Sequence, residues 1–457
     1  YLTKKMNIEA FLNSLSGFIW GPFTLSLLFL VGLYLMIGLR AYPLKNLNKG
    51  FKFLFKKPNL SNKRKRRTGG DISSFESLMT ALSATVGTGN IAGVATAIFL
   101  GGPGAIFWMW LTALVGMATK YAEAFLAIFY RDRNKQGNFV GGPMYYIKNG
   151  LEKKYHFLAY AFAFFGMIAA FGIGNGVQSN SVAQVVSMEL NISQVTVGFI
   201  IAILVMLVIL GGIKSIGKTA AKLVPAMSLI YILGGLYIII INIDLVPTVF
   251  WLIIDSAFST TAASGGFAGA TVWGAIRYGV SRGVFSNEAG LGSSPIAHAA
   301  AKTNNPIKQG SISMLEPLID TLIVCTITAF VILISQSWYT GYNGAALTTY
   351  AFDSAMPGVG KYIVIFGLVL FAFSTIIGWS YYGEKCAEFL FGEKIILYYR
   401  MLWVVVIPIG AAIELNLIWL IADIMNGLMA LPNLIALLLL SPIIFKQTIK
   451  IKKSLKV

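Results

Sequence analysis

The sequence has little cysteine, little histidine and few acidic residues. Its two cysteines, Cys325 and Cys386, both lie in apolar segments, which argues against a disulfide framework or a metal site and predicts free, buried thiols. Charged residues make up only 12% of the chain, whereas 56% of its 457 residues are hydrophobic and the mean hydropathy is +0.73. This composition leaves no room for a sizeable soluble domain and is typical of a polytopic membrane protein.

The positive charge of the chain is concentrated in short loops between apolar runs. Lys and Arg number 36 against 18 Asp and Glu, which gives a formal net charge of +18. The densest basic loop, residues 40–67, belongs in the cytoplasm by the positive-inside rule, and alternating sides from there leaves Lys4, Lys5 and Lys361 outside. We therefore expect a multi-pass protein of the cell membrane with its N-terminus outside, its C-terminus in the cytoplasm and no nucleic-acid partner.

The hydropathy pattern predicts an all-α integral membrane protein with about eleven transmembrane helices. The expected spans cover residues 18–39, 72–100, 104–130, 157–187, 195–213, 219–241, 247–281, 312–335, 360–389, 396–414 and 417–441. Residues 1–71 hold the leading helix and the basic loop, and residues 442–457 form a basic cytoplasmic tail. The ten spans between them divide into five in residues 72–241 and five in residues 247–441. An odd number per half forces the second half to be inverted.

The apolar run 72–100 carries a cluster of small and polar residues at its middle. The cluster consists of Thr85, Gly87, Thr88, Gly89, Asn90 and Gly93. One interpretation is that the glycines let two helices pack closely, as small residues do throughout membrane proteins. The other is that the helix opens over residues 85–91, which is tolerated at bilayer depth only where the backbone is buried in protein or faces a watery cavity. Freed N–H groups then bind anions, and freed carbonyls bind cations.

A second small-residue cluster lies at the middle of the span 247–281. It consists of Ser264, Gly265, Gly266, Phe267, Ala268, Gly269 and Ala270, and predicts a second break over residues 263–270. Both breaks fall in the first span of a five-helix half. Two interrupted helices at corresponding positions of two halves indicate the binding site of a secondary transporter, so the second cluster favours opening at the first.

Three stretches of the chain resemble the alanine or glycine:cation symporter family, also called the sodium:alanine symporters. They are TVGTGNIAGVATAI, GGPGAIFWMWLTALVGMATKYAE at residues 101–123 and RGVFSNEAGLGSSPIAHAAA at residues 282–301. The resemblance covers most of residues 72–392 and implies the leucine-transporter fold, with ten core helices in two inverted repeats. It also implies alternating-access symport of small neutral amino acids, chiefly alanine and glycine, driven by sodium or sometimes by protons.

A zwitterionic amino acid needs hydrogen-bond donors for its carboxylate and acceptors for its ammonium group, and the two breaks offer both. The expected donors are the N–H groups of Gly87, Thr88, Gly89 and Asn90, at the start of the second half-helix. The expected acceptors are the freed carbonyls of Ser264, Gly265, Gly266 and Phe267. No charged side chain is expected near either break, since the nearest acids in the sequence, Asp71, Glu76 and Asp255, lie a turn or more away. This fits a neutral solute better than a charged one, because a net charge buried at mid-membrane would need a partner.

The walls of this pocket are expected to come from neighbouring spans, because two glycine-rich breaks supply little side-chain volume. The nominated wall residues are Phe171, Asn175, Gln178, Phe267, Thr271, Thr375, Ile376 and Trp379. The bulky Phe267 and Trp379 would exclude substrates with long side chains. For each aromatic residue taken alone, plain core packing is the alternative interpretation.

A sodium ion prefers a shell of carbonyl and hydroxyl oxygens, and the span 360–389 offers two adjacent hydroxyls, Ser374 and Thr375. By similarity to the leucine-transporter fold, these hydroxyls join backbone carbonyls of the first broken helix near Ala84 and Gly87. The alternative is that each hydroxyl bonds a carbonyl of its own helix. Sodium as the coupling ion is the main prediction.

Coupling to protons would instead need a membrane-embedded carboxylate or histidine that changes protonation. Glu123, Glu316 and Asp320 are the candidates, with the alternative that they pair with Lys120 or with other helices. The choice between sodium and proton stays open at this point, as does the choice between alanine and glycine.

The stretch 282–310 is rich in glycine, serine and alanine and has two interpretations. It is either a cytoplasmic connector or an inner gate in which Arg282 or Glu288 forms an ion pair across the vestibule. Within it, Ser286 is expected to cap a short helix with Glu288 in the first turn.

Two other classes of function are less consistent with the sequence. A membrane-embedded enzyme would need a cluster of His, Asp, Cys or Glu facing a cavity, whereas His156 and His298 are interpreted as loop or helix-end residues far from the breaks. An ion channel would need a filter loop, and no repeated loop of that kind is evident. We therefore expect a carrier and no enzymatic activity.

Overall fold

The structure is almost entirely helical. The computed structural model describes residues 2–55, 69–259, 271–413 and 416–454. Within these ranges, eight helices are long and apolar enough to cross a membrane, or up to nine if a bent pair of helices near residue 87 forms one span. Large apolar side chains are exposed along the outer faces of these helices, as on surfaces that contact lipid. These are the features of a multi-pass membrane protein.

Four helices lie in residues 2–55, before the predicted repeats. They are α1 (Leu2–Ile19), α2 (Pro22–Gly38), α3 (Tyr42–Lys45) and α4 (Leu47–Phe55). Pro22 occupies the first turn of α2, where an N–H group would have no intrahelical acceptor. The indole Nε1 of Trp20 donates to the carbonyl of Asp423 at 2.9 Å and so fixes the α1–α2 junction to the C-terminal part of the chain. Residues 56–68, much of the basic loop, lie outside the described residues.

The first predicted repeat contains two π-helical segments, π1 and π2. The elements are α5 (Ser74–Thr85), π1 (Gly89–Gly93), α6 (Val94–Gly101), α7 (Ala105–Phe129), β1 (Asp132–Arg133), β2 (Phe139–Val140), α8 (Pro143–Gly150), a 3₁₀ turn (Lys153–Tyr155), α9 (His156–Ala169), π2 (Ala170–Gly176), α10 (Val177–Leu190), α11 (Gln194–Ile209) and α12 (Gly212–Ile241). The strands pair antiparallel, with Asp132 opposite Val140. Ser73 and Glu76 start α5 through a reciprocal capping box.

The second predicted repeat contains a third π-helical segment, π3. The elements are a 3₁₀ turn (Ile243–Leu245), α13 (Val246–Phe258), α14 (Val272–Asn287), α15 (Pro295–Ala299), α16 (Pro306–Ser313), α17 (Leu315–Pro317), π3 (Leu318–Cys325), α18 (Thr326–Ile334), a 3₁₀ turn (Ser337–Tyr339), α19 (Gly344–Ala355), α20 (Gly360–Phe391), α21 (Ile395–Ala412) and α22 (Asn416–Ser454). Residues 260–270, which include the predicted second break, lie outside the described residues.

Several helices extend beyond the spans predicted from hydropathy. α12 begins at Gly212 rather than at residue 219, and α22 continues to Ser454 through most of the predicted tail. Both extensions carry lysines, among them Lys214 and Lys446. A hydropathy window detects only the apolar part of a helix, whereas the backbone hydrogen bonds continue into the charged turns that leave the apolar layer.

Buried apolar side chains of the described residues form two clusters that meet along α5, α7 and α20. The first cluster includes Ala84 and Ile376, and the second includes Val86, Ile91 and Phe371. α5 packs against both α12 and α20, while α7 packs against α14. The interruption after α5 therefore lies where the two clusters meet. Cys325 and Cys386 are free and buried, which confirms the prediction for both thiols.

A half-buried arginine, Arg131, ties the segments after α7 and α15 together. Arg131 donates to the carbonyls of Ala299 and Ala301 at 2.9 Å each and to that of Thr303 at 2.6 Å. Burial lowers the pKa of Arg131 to about 10, and the negative charge of Asp71 opposes this shift. The guanidinium is therefore charged at neutral pH and can donate to three carbonyls at once.

Candidate functional site

The first broken helix is interrupted between α5 and π1, where the chain bends by 52°. The N–H of Gly87 donates to Oδ1 of Asn90 at 2.8 Å, and the N–H of Asn90 donates to the carbonyl of Gly87 at 3.2 Å. Asn90 thus caps the interruption within the chain, as Asn side chains do at turns. The N–H groups of Gly87 and Asn90 are two of the four expected carboxylate donors. Each already donates to an oxygen atom of the other residue. Thr88 and Gly89 begin the second segment, where N–H groups have no intrahelical acceptor.

Hydroxyl groups from two other helices bind carbonyls of π1. Oγ1 of Thr328 donates to the carbonyl of Asn90 at 2.8 Å, and Oγ1 of Thr348 donates to that of Ile91 at 2.9 Å. These two carbonyls are thereby hydrogen-bonded without water, as membrane depth requires. Sequence reasoning missed both threonines, and the only available signal was a hydroxyl residue inside an apolar helix.

Three of the predicted site residues come together at the break. A Cβ atom added to Gly87 would lie 2.6 Å from Oγ1 of Thr375 on α20 and 3.5 Å from Oε1 of Gln178 on α10. Only glycine allows the two helices to approach the backbone this closely. We name the group of Gly87, Thr88, Gln178 and Thr375 the break site.

Two polar atoms of the break site have no hydrogen-bond partner in the described part of the chain. They are Oγ1 of Thr88 and Oε1 of Gln178, and each side chain is 2% exposed. The other amide atom of Gln178, Nε2, donates to the carbonyl of Ile173 at 3.1 Å, which fixes the direction of the amide. A buried polar atom without a partner costs about 1–3 kcal/mol, so a water molecule or a ligand beside the opened helix would stabilise these two atoms.

The two hydroxyls predicted to bind sodium donate their protons to a carbonyl of their own helix, as the alternative interpretation expects. Oγ of Ser374 donates to the carbonyl of Phe371 at 2.8 Å, and Oγ1 of Thr375 donates to the same carbonyl at 2.9 Å. Each oxygen keeps lone pairs that can face a cation. α20 approaches α5 closely, since a Cβ added to Gly378 would lie 3.0 Å from the backbone N of Ala84.

A carboxylate also contacts the break, so the expectation of no charged side chain there is wrong for the first break. Oδ1 of Asp320, in π3, accepts from Nδ2 of Asn90 at 2.7 Å. Oδ2 accepts from Oγ of Ser286 at 2.8 Å and from Oγ1 of Thr321 at 2.7 Å. The sequence places Asp320 far from Asn90, and only the fold brings them together. Three donors hold the carboxylate in place of a cation.

Trp379 is tied to a glutamate. Its Nε1 donates to Oε1 of Glu288 at 2.9 Å, and its ring packs edge-on against Tyr382 with centroids 5.5 Å apart. The Cβ of Trp379 lies so close to Gly174 of π2 that no side chain fits there. Trp379 follows Thr375 by four residues on α20, so both side chains lie on the same face of that helix.

The other predicted wall residues in the described part of the chain make contacts with other elements. Phe171 packs against Tyr399 and Trp403 of α21, with ring centroids 5.1 and 5.2 Å apart, and Nδ2 of Asn175 donates to the carbonyl of Trp403 at 2.9 Å. Ile376 is fully buried in the apolar core. Thr271 is exposed and caps α14 by accepting from the N–H of Gly274 at 3.0 Å. Ser264, Gly265, Gly266 and Phe267 lie outside the described residues.

A second polar region, which we name the charged cluster, lies between α7, α15 and α17. Nζ of Lys120 lies 2.9 Å from Oε2 of Glu316, and Nε2 of His298 lies 2.5 Å from Oε1 of Glu316, with all three side chains fully buried. The pairing of Glu316 with Lys120 confirms the alternative interpretation of that glutamate. His298 is a buried partner of a carboxylate, so its interpretation as a loop or helix-end residue misses this role.

Polar side chains complete the charged cluster. Nδ1 of His298 lies 2.6 Å from Nε2 of Gln309 and 3.0 Å from Oγ of Ser77, and Lys120 also donates to Oγ of Ser294 at 2.8 Å. Ser77 belongs to α5, so the cluster fixes the first half of the broken helix to α7 and to the stretch 282–310. Glu123, the remaining candidate for proton coupling, accepts from Nδ2 of Asn433 at 2.7 Å.

The stretch 282–310 is largely buried and structured, and the expected helix start at Ser286 is wrong. α14 continues to Asn287, and Ser286 lies in its last turn, so Ser286 does not cap a helix that contains Glu288. Glu288 follows α14 in the left-handed conformation, with φ of 55°. Its carboxylate accepts from Trp379 and Ser293 rather than from an arginine across a vestibule.

Comparison with known sequences gives one family over nearly the whole chain. The family model described as "Sodium:alanine symporter family" matches residues 5–457. The sodium/alanine symporter AgcS of Methanococcus maripaludis is 50% identical over 449 residues, which cover 97% of each chain. The probable sodium/glutamine symporter GlnT of Bacillus subtilis is 37% identical over 96% of this chain and 89% of its own.

Comparison with solved structures identifies the fold. MhsT in complex with L-phenylalanine superposes with a TM-score of 0.58 at 12% identity, covering 81% of this chain and 89% of that one. The manganese transporter of Eremococcus coleocola gives 0.51 at 14% identity, covering 84% and 78%. These are transporters of the leucine-transporter fold, which confirms the predicted fold class. The number of spans stays a prediction.

Proposed function

This chain belongs to the sodium:alanine symporter family, and we propose that it is a secondary active transporter that couples uptake of a small neutral amino acid, alanine or glycine, to sodium. The family and its relatives are transporters and not enzymes. The observation that carries the proposal is the break site, where Thr88 and Gln178 hold buried oxygen atoms without partners beside an opened helix.

In this proposal the substrate is bound mainly by neutral groups. The N–H groups of Thr88 and Gly89, at the start of the second segment, bind the substrate carboxylate, and Oγ1 of Thr88 donates to it as well. Oε1 of Gln178 accepts from the substrate ammonium, together with backbone carbonyls in residues 264–267. A zwitterion suits this site because Asp320, the carboxylate that contacts the break in the described residues, is already held by three donors.

Sodium in this proposal lies between α5 and α20. The hydroxyl oxygens of Ser374 and Thr375 and the carbonyls of Ala84 and Gly87 supply its ligands. Support comes from the closeness of the two helices at Gly87 and Gly378 and from the hydroxyl protons that point away toward Phe371. The name of the family also gives sodium as the coupled ion.

Transport proceeds by alternating access in this proposal. Residues 72–241 and 247–441 form the two inverted repeats, and the bound amino acid and sodium together stabilise a closed state that neither favours alone. The chain lies in the cell membrane with its N-terminus outside and its C-terminus in the cytoplasm, as the distribution of lysine and arginine favours.

Uptake into proteoliposomes tests the proposal. Radiolabelled alanine is expected to accumulate when sodium is high outside, and accumulation is expected to collapse when choline replaces sodium. Alanine uptake of equal extent without any cation gradient would contradict coupled transport. Unlabelled glycine and alanine as competitors then give the preferred substrate.

Coupling to protons is the second candidate, and Asp320 is the residue that favours it. Its carboxylate is fully buried, contacts the break through Asn90, and has no basic side chain within 4 Å in the described ranges. In this alternative, an inward proton gradient without sodium drives alanine uptake, and Asp320→Asn abolishes that uptake. Sodium-driven uptake that ignores an imposed proton gradient would exclude it.

A further inference from the structure

A glutamate outside the break site fixes the orientation of Trp379. Oε1 of Glu288 accepts from the indole Nε1 at 2.9 Å, and the other carboxylate oxygen accepts from Oγ of Ser293. Glu288 is 2% exposed and Trp379 is 1% exposed, so water does not compete for this hydrogen bond. The bond is charge-assisted, since its acceptor is a carboxylate.

The backbone at Glu288 is held in a conformation that a glutamate rarely adopts. Its φ of 55° and ψ of 20° lie in the left-handed region, where glycine ends helices at the least cost. Its N–H nevertheless donates to the carbonyl of Val284 at 2.8 Å, as in an ordinary helix end. A non-glycine residue in this strained conformation indicates that its side chain has a functional role.

The indole is constrained on three sides. Gly174 of π2 contacts its Cβ, Tyr382 packs against its ring, and Glu288 binds its one hydrogen-bond donor. Apolar contacts alone do not fix which edge of an aromatic ring faces a given neighbour. The hydrogen bond removes that choice, because Nε1 must point toward Glu288.

Trp379 lies one helical turn beyond Thr375, whose hydroxyl contacts the break at Gly87. We propose that Glu288 is a positioning residue that holds the indole of Trp379 and thereby sets the largest amino-acid side chain that the carrier accepts. This inference rests on the proposed amino-acid site at the break. Glu288 acts through Trp379 and does not itself touch the substrate.

The test compares uptake of radiolabelled alanine with its inhibition by unlabelled leucine, in proteoliposomes that hold the full chain. Glu288→Ala and Trp379→Phe both remove the hydrogen bond, and each is expected to let leucine compete about tenfold better relative to unlabelled alanine, as for a pocket that gains room for a few methylene groups. Glu288→Gln keeps an amide oxygen as acceptor and is expected to retain wild-type selectivity. The double variant is expected to show no further change, because both substitutions remove one interaction.

Ser293→Ala is the matched control, since it removes the other hydrogen bond of Glu288 and leaves the indole bond in place. A merely structural role would lower the amount of active carrier in all these variants without changing the leucine-to-alanine ratio. An unchanged ratio in Glu288→Ala overturns the inference. If that variant does not fold, an unchanged ratio in Trp379→Phe overturns it instead. A wild-type protein that takes up no alanine under any cation gradient overturns the proposed function, and this inference with it.

Discussion

The break site and the charged cluster are both buried polar regions on the same broken helix, but ion pairs form the centre of the charged cluster, whereas the break site consists of neutral groups. In the charged cluster, Lys120 and His298 both bind Glu316, so each charged group has a partner. In the break site, Thr88 and Gln178 keep polar atoms without partners in the described part of the chain.

This difference indicates that the charged cluster stabilises the fold, whereas the break site binds a ligand. A buried ion pair is stable when further hydrogen bonds complete it, as Ser294 and Gln309 do here, and removal of one member leaves an uncompensated charge. Unpartnered neutral atoms cost stability in the empty protein and recover it when a ligand binds. The comparison therefore predicts that substitutions in the charged cluster act on folding and that substitutions in the break site act on transport.

The largest expected effect is the loss of Lys120. Lys120→Met leaves the carboxylate of Glu316 buried without its ammonium partner, which costs about 3–5 kcal/mol of folding stability. Thermal unfolding in detergent, followed by size-exclusion chromatography, should show a strongly lowered Tm. Lys154→Met is the matched control, because Lys154 forms an exposed pair with Glu152 at 2.9 Å. Equal Tm values for the two variants would contradict the prediction that the charged cluster stabilises the fold.

The next effect concerns the backbone of the break. In Gly87→Ala, the added methyl group would lie 2.6 Å from Oγ1 of Thr375 and must displace this hydroxyl or push α20 away. At about 1–3 kcal/mol of overpacking, this corresponds to roughly 5–150-fold weaker alanine uptake. Gly93→Ala is the control, since nothing lies within 4 Å of a Cβ added there. Equal uptake by the two variants would show that the approach of α20 to Gly87 is not needed.

A smaller effect is expected from Thr88→Val, which replaces the unpartnered hydroxyl by a methyl group of similar size. A lost hydrogen bond to the charged substrate carboxylate should weaken alanine binding by about tenfold or somewhat more. The Tm of the empty protein should stay the same or rise, because an unsatisfied polar atom has been removed. Thr80→Val, which removes a hydroxyl bonded to the carbonyl of Glu76 at 2.7 Å, should leave alanine affinity unchanged. Unchanged alanine affinity in Thr88→Val together with weakened affinity in Thr80→Val would show that the ligand binds elsewhere.

The smallest effect is expected from Thr375→Ala, which removes one neutral oxygen from the proposed sodium shell. The sodium concentration for half-maximal uptake should rise by a few fold, on the order of the 0.5–1.5 kcal/mol of one neutral hydrogen bond, while the maximal alanine uptake is kept. Ser380→Ala, on the same helix, removes a hydroxyl that donates to the carbonyl of Ile377 at 2.7 Å and should leave the sodium dependence unchanged. An unchanged sodium requirement in Thr375→Ala would exclude this hydroxyl as a ligand.

The sequence predicts features that depend on neighbours along the chain. Glycine and hydroxyl residues near Gly87 predict an interruption, and the chain bends there by 52°. The wall residues Thr375 and Gln178 also reach the break, because helices of this fold present them on the correct face. Buried free thiols follow from the apolar segments around Cys325 and Cys386.

Contacts between residues distant in the chain could not be predicted in the same way. Asp320 binds Asn90 and Glu288 binds Trp379 across long sequence separations, and no local pattern reports which acid meets which donor. The helix expected to start at Ser286 fails for a local reason, because nothing before Glu288 stops α14. Phe171 faces α21 because aromatic partners there complete its packing.

The central claim is that the opened helix binds a neutral amino acid together with sodium, and that Thr88 and Gln178 form hydrogen bonds to the amino acid. Calorimetric titration of the purified protein with L-alanine, in sodium and in choline buffer, tests it most directly. We predict that sodium tightens alanine binding at least about tenfold, which corresponds to roughly 1.4 kcal/mol of coupling, and that Thr88→Val loses most of the affinity in sodium. Equal alanine affinity in the two buffers, or full affinity in Thr88→Val, would contradict the account.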